Sequence, residues 1–268
     1  MKGVDAQLVI QALGLPDSCR VDQRVPKKLL LENGVFTTTD KRLIADNIAE
    51  IQWIAALKPN TVGVPDYRDM QREYLEIAVL VVALRGAVKS THRSRLAELV
   101  HRAVPYPVLL QLIDGHTQTL FLAHKRWAQN EASKVVLEGG LVSVALLNAM
   151  SEATVSTHFT YSEVEQAFMQ SLSVVRQPQA TLYTLYQGWI DCVRALLAAR
   201  LTGSYRMTTT QEQAEARRQA LADYERLEGE ISRLRGQAIK EKQMARQVEV
   251  NLRLQVLQAE RKRIEKYL

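Results

Sequence analysis

The sequence predicts an α+β protein with a helical N-terminal region (1–62), a mixed-sheet core (63–150), a helical segment (151–210) and a C-terminal coiled coil (211–268). Three observations carry this. Residues 75–84 are apolar at nearly every position, as a strand covered on both faces must be. Asp114-Gly115 lies between two apolar runs and tolerates the positive φ angles of a tight hairpin turn. Residues 211–268 contain no proline and repeat apolar side chains at steps of three and four, the pattern of a coiled-coil helix.

The elements follow in order. Asp5 caps a first helix that ends at Gly14 before Pro16. Pro26 suits the first turn of a second, Lys27–Glu32, stopped by Asn33-Gly34. Thr38 or Thr39 caps a third with the stripe Ile44, Ile48, Ile51 and Ala55. Such a trio is either a helix-turn-helix relative or a helical cap, and the pattern favours the cap. The buried strand at 75–84 leads to a helix capped by Ser90 or Thr91, with Leu96, Leu99, Val100 and Ala103 on one face and Pro105 at its end. Strands at 108–113 and 117–126 flank the Asp114-Gly115 turn, and a further pair, 135–137 and 141–147, turns at Gly139-Gly140. The sheet order is therefore β-α-β-β-β-β. Helix returns over 161–172 and 180–201, and Gly203-Ser204 with Thr208–Thr210 forms a hinge.

Along the C-terminal run, the seam reads Ala220, Tyr224, Leu227, Ile231, Leu234, Ala238, Glu241, Ala245, Val248 and Leu252, after which Leu257, Ile264 and Leu268 continue in a shifted register like a stutter. As one helix this arm would reach roughly 80 Å. Gly229 and Gly236 each cost about 1 kcal/mol relative to alanine, so an isolated helix is marginal and its seam needs cover. The alternative to a second polypeptide is a helical hairpin folding back on its own domain. Tyr224, Leu227, Ile231, Leu234, Glu241, Val248 and Leu252 are the candidate partner contacts, with Glu241 the one charged seam residue and a device for partner choice.

Chemistry is harder to find. Asp114 precedes Lys125 by one strand, an order used by metal-dependent nucleases, but the acid expected two residues before the lysine is Ala123. One carboxylate cannot organise a two-ligand magnesium site. No Gly-rich phosphate loop is present. His92, His101, His116, His124 and His158 lack metal-ligand spacing, and Cys19 and Cys192 read as reduced, ordinary apolar residues. No metal, cofactor or catalytic residue is expected.

The net charge of +6 permits contact with polyanions without requiring it. Basicity is spread: the arm holds 13 of the 35 Lys and Arg and 10 of the 29 Asp and Glu, leaving a net +3 in each part. Lys27, Lys28, Arg93, Arg95, Arg102, Lys125 and Arg126 are the candidate phosphate contacts, against the alternative that they form solvated faces with Glu98 pairing the arginines. Met1–Asp5 carries no signal-peptide core and no stretch is long enough to span a bilayer, so a cytoplasmic protein is expected.

The chain resembles a bacterial family of unknown function. The resemblance rests on Arg24-Val25-Pro26-Lys27-Lys28-Leu29-Leu30-Leu31-Glu32-Asn33-Gly34, Ile51-Gln52-Trp53-Ile54-Ala55-Ala56-Leu57-Lys58-Pro59, His101-Arg102-Ala103-Val104-Pro105-Tyr106-Pro107, Ala123-His124-Lys125-Arg126 and the tail segment from Lys240 to Asn251. It covers nearly the whole chain. Genes of that family look to be neighbours of Swi/Snf-type helicases and DNA methyltransferases in phage-defence islands, which implies an accessory subunit of a defence complex. The expected function is thus a non-catalytic adaptor that clasps a helicase, a methyltransferase or a second copy through the coiled coil, with contact to DNA backbone. The alternatives are a diverged nuclease on the central sheet and a standalone nucleic-acid-binding module.

Overall fold

A computed structural model describes residues 4–34, 36–115, 117–128, 131–146 and 162–268. The chain divides into two compact units, Met1–Val193 and Arg194–Leu268. The α+β class expected from the sequence is the class observed.

In the first unit the helices are α1 (Val4–Ala12), α2 (Lys27–Asn33), α3 (Thr38–Asn47), α4 (Pro59–Val62), α5 (Ser90–Ala103) and α6 (Glu163–Ser171), with the start of α7 (Leu182–Thr202). The strands are β1 (Arg20–Arg24), β2 (Ile48–Leu57), β3 (Tyr67–Arg68), β4 (Glu73–Tyr74), β5 (Ile77–Leu84), β6 (Val108–Asp114), β7 (Thr117–Ala128) and β8 (Glu131–Leu146). Six of them form one sheet in the order β1-β2-β5-β6-β7-β8, and β3 and β4 form a small separate ribbon. Only β5 and β6 are parallel, joined through α5; the other neighbours in the sheet are antiparallel. Alternation sorts the side chains. Ala78, Leu80, Val82 and Leu84 of β5 join Val108, Leu110 and Leu112 of β6 in one cluster with Leu96, Leu99 and Val100 of α5, Leu30 of α2 and Ile44 of α3. Ile77 and Val79, of the opposite parity, are equally buried. On the first half of α7 the Tyr186 hydroxyl donates to Val108 O at 2.7 Å and accepts from the Ala123 N–H at 3.0 Å.

Three expectations are corrected in this unit. The third helix stops at Asn47, and Ile48–Leu57 is a strand. Of the expected stripe Ile44, Ile48, Ile51 and Ala55, Ile48 and Ile51 lie three apart on one face because a register shift at Ile48/Glu50 interrupts the pairing of β2 with β5, whereas Ala55, opposite Val79 after a second shift at Trp53/Ala55, falls on the other face. A bulge inserts a residue and turns a period of two into three, while the β-branched side chains favour the strand. The region 1–62 is therefore mixed rather than helical, with β1 and β2 forming one edge of the sheet. Gly139-Gly140 is not a turn: β8 runs unbroken from Glu131 to Leu146. Its pairing steps from Leu122↔Val142 to His124↔Glu138, so the extra residues form a bulge, and Gly139 takes a φ of 71° there. Capping also differs in detail. Thr37 rather than Thr38 or Thr39 caps α3, in a capping box with Asp40, and α5 begins at Ser90 with no side-chain cap. The expected helix start at Tyr161 and strand end at Leu147 lie outside the described residues; α6 itself is capped by Ser162.

In the second unit the expected single arm is two helices, α8 (Gln211–Lys240) and α9 (Met244–Ile264). They are broken at Glu241, which takes an extended φ of −72° and ψ of 125°. Folding back converts the apparent stutter into a turn. One seam runs through Ala220, Tyr224, Leu227, Ile231, Leu234 and Ala238 of α8, the other through Val250, Leu254, Leu257 and Ile264 of α9, both at steps of three and four apart from one skipped position in α9. That skipped position holds Arg261, which pairs with Glu228 and lies 5.6 Å over the Tyr224 ring. Arg253 and Glu230 pair across the helices at 2.8 Å, and Arg217 donates to the Leu268 carbonyl at 3.2 Å. Glu241 is therefore a turn residue, its carboxylate accepting from the Gln243 N–H at 2.8 Å, and not a seam acid. No helix among the described residues is long and apolar enough to cross a membrane.

The hairpin makes unequal demands on residues that share one stripe in the sequence. Leu227 is fully buried and Val248 is 55% exposed. Leu227→Ala should cost about 2–3 kcal/mol and Val248→Ala less than about 0.5 kcal/mol, read from denaturant midpoints of the helical signal. Equal losses would place both in one seam and contradict the hairpin.

Candidate functional site

The seven nominated cations do not form one surface. Arg95 makes two 2.9 Å bonds to the Asp40 carboxylate and one of 2.8 Å to Glu98, and Arg102 reaches Glu98 at 3.3 Å. The Arg95 guanidinium holds the Asp40 carboxyl down to about 2. Arg93 pairs with Asp114 at 3.4 Å. Lys28 pairs with Glu32 at 3.5 Å along α2, and Arg126 donates to the Trp127 carbonyl at 3.1 Å. Lys27 donates to the carbonyls of Ala45 and Ile48 at 3.4 and 3.0 Å, satisfying the C-terminal end of α3. These are the pairings of a structured surface. Arg95 and Arg102 meet at Glu98 on α5, as the alternative reading of the sequence has it.

Lys125 is only 3% exposed, and its ammonium donates to the carbonyls of Val104 and Tyr106. Those carbonyls lie in the segment Val104-Pro105-Tyr106-Pro107 between α5 and β6, where the two prolines supply no N–H and helical pairing has ended. Lys125 thus ties β7 to the end of α5. Burial pushes its pKa down to about 7. Nearby His101 is buried, and burial with the Lys125 charge drives it down to about 3, keeping it neutral.

The nuclease geometry does not form. Asp114 pairs with Thr117 at the turn, and Lys125 lies eight residues further along β7. At about 3.4 Å per residue, the two are roughly 27 Å apart, at opposite ends of the hairpin. Asp114 also does more than make a turn: one carboxylate oxygen accepts from the Val88 N–H at 2.9 Å and so fixes the approach to α5. Among the described residues no three His, Cys, Asp or Glu side chains gather where they could hold a metal. His116 and His158 lie outside the described residues. His124 is engaged in a chain: Tyr74 Oη lies 2.5 Å from its Nδ1, and its Nε2 lies 2.7 Å from Gln187 Oε1. Tyr183 packs beside both rings, 5.1 Å from Tyr74 and 5.0 Å from His124.

The hairpin presents the more informative surface. Of the nominated partner contacts, Leu227, Ile231 and Leu234 are buried in the seam and Tyr224 lies under Arg261, whereas Val248 and Leu252 point outward. Leu252 is 58% and Val256 65% exposed, and Met244, Ala245 and Ala259 are also exposed. At 100° per residue Met244, Ala245, Val248, Asn251, Leu252, Gln255, Val256 and Ala259 share one face of α9. That face bears no charge until Lys262 and Arg263 at its end. Met244, Val256 and Ala259 were missed in the sequence because a single arm puts Val248 and Leu252 in a seam that ends there. The signal was present as a second set of three- and four-residue steps.

The buried lysine gives a pH signature. Its folded pKa of about 7 lies below the ordinary 10.5, so between these values the unfolded chain binds more protons and stability rises with pH. Urea midpoints of the wild type should climb from pH 7 toward 10.5, and Lys125→Met should flatten that climb. An unchanged slope would mean the ammonium is not held in this site.

One family model, described as Domain of unknown function (DUF4391), matches residues 13–260. No curated protein and no solved structure matches the chain. Covered from the end of α1 to the last turns of α9, the chain belongs to the DUF4391 family.

Proposed function

We propose that this protein is a non-catalytic assembly subunit that works by holding other polypeptides. The observation that carries this reading is the outer face of α9: the hairpin closes its own seam, and a second apolar stripe, uncharged over about four turns, stays in water. A patch of that kind on a soluble surface marks an interaction site.

The assembly, in this reading, is an anti-phage defence complex containing a helicase or a DNA methyltransferase; that part follows from the family resemblance. The α+β unit docks on the enzyme and the hairpin makes the second contact. Full-length tagged protein purified from its own host should bring down a subunit of one of those two enzyme classes. Recovery of neither, from cells in which the proposed partners are expressed, would end this reading.

Contact with nucleic-acid backbone is a second reading, favoured by one feature. Arg24 and Lys27 line a surface cleft of about 360 Å³ with Glu50. Arg24 pairs with Glu50 at 3.7 Å, and the Lys27 pKa is lowered first by desolvation and then by the charges of Arg85 and Arg24. Three phosphate contacts predict weak duplex binding with a log–log salt slope of about −3, and Arg24→Ala should reduce it by about one. Binding unchanged between low and high salt would exclude phosphate contact.

A further inference from the structure

Resting on the interaction reading above, we infer that the outer face of α9 is a homodimer interface in which a second copy lies antiparallel, with the two-fold axis at Leu252. Five exposed apolar residues form a palindrome at the centre of α9, beyond which Met244 at offset −8 faces Glu260 at +8. Val248 and Val256 flank Leu252 at four residues on either side, and Ala245 and Ala259 at seven. A two-fold perpendicular to the helix pairs offset +n of one copy with −n of the other. It therefore sets Leu252 against Leu252, Val248 against Val256 and Ala245 against Ala259. Within these five positions each apolar side chain meets one of its own size, and no charge is buried along these contacts. A random amphipathic face has no reason to read the same in both directions.

Charge selects the orientation. Lys262 and Arg263 continue this face at the C-terminal end of α9, and Lys266 follows in the 3-10 turn after it. A parallel pair would stack the two triads, six cations in one place, and like charges in contact are unfavourable. The antiparallel pair sends them to opposite ends, each toward the turn of the other copy, where Arg263 meets Glu241 and Lys262 meets Lys242, so that no more than one triad gathers at either end. On the flank of the contact, Glu249 of one copy falls two residues, about 3 Å along the axis, from Arg253 of the other. Leu254 and Leu257 face α8 in the hairpin seam, so both surfaces are satisfied at once. Two such hairpins form an antiparallel four-helix arrangement with α9 in the middle layer. The face offers fewer residues than the 20–30 per side of a standard interface, so association is expected in the micromolar range.

Sedimentation equilibrium of the full-length chain from about 1 to 200 μM, a span chosen to bracket that range, should show a monomer–dimer equilibrium. Leu252→Asp, which sets two carboxylates against each other on the axis, should weaken it at least tenfold with unchanged helical signal, because Leu252 lies outside the seam. Cysteine pairing tests the geometry, and Cys19 and Cys192 do not interfere because both are buried. Under mild oxidation Leu252→Cys should cross-link with itself. Val248→Cys alone should not, yet should cross-link when mixed with Val256→Cys. Equal self-cross-linking of all three would mean a parallel pair and overturn the inference, as would a monomer throughout the range or a dimer indifferent to Leu252→Asp. A monomer that still recovers a helicase or methyltransferase removes the second copy and leaves the assembly reading standing; a dimer that recovers neither does the reverse.

Discussion

The first unit is organised around β5, a strand that is buried along almost its whole length on both faces. A strand of this kind cannot sit at a sheet edge or under a single layer, because half its side chains would stay in water. Its neighbours follow from that requirement. β2 and β6 pair its two edges, α5 with α2 and α3 covers one face, and the remaining strands extend the sheet away from it. The parallel join of β5 to β6 needs a crossover long enough to return the chain, which is why α5 stands between them. Asp114 and Lys125 then secure the two ends of that crossover, the first through the Val88 N–H before α5 and the second through the Val104 carbonyl after it.

Several of the charged residues nominated from the sequence serve as ties between elements of this unit. Arg95 with Asp40, Arg93 with Asp114 and Lys125 with two carbonyls each join elements that the hydrophobic layer alone leaves free to slide. Lys125 is the clearest case. Its burial is unfavourable for charge, and that burden is offset by two backbone acceptors that would otherwise lack donors.

The second unit obeys the opposite economy. Two helices with glycines at 229 and 236 are weak alone, and folding α9 onto α8 covers Leu227, Ile231, Leu234, Leu254 and Leu257 without help from another chain. Self-coverage changes the meaning of the arm. The seam expected to hold a partner is internal, and the reverse side of α9 is left exposed.

Local pattern sufficed where one period ran without interruption. The apolar run of β5, the Asp114-Gly115 turn, α5 ending at Pro105 and the seam of α8 are all legible, because burial imposes a period of two or 3.6 on the side chains and turns demand particular residues. Legibility failed where pairing inserted a residue or the chain reversed. A bulge gave Ile48 and Ile51 of β2 the spacing of a helix, and the two glycines of β8 imitated a turn. Glu241-Lys242-Gln243 carries neither glycine nor proline, so the reversal between α8 and α9 left no local mark. These features are set by which strand or helix lies alongside, through hydrogen bonds and contacts between residues distant in the chain. The same holds for the candidate site. Sequence supplied the apolar residues of α9, but which of them stay in water was decided only when α8 covered the other side.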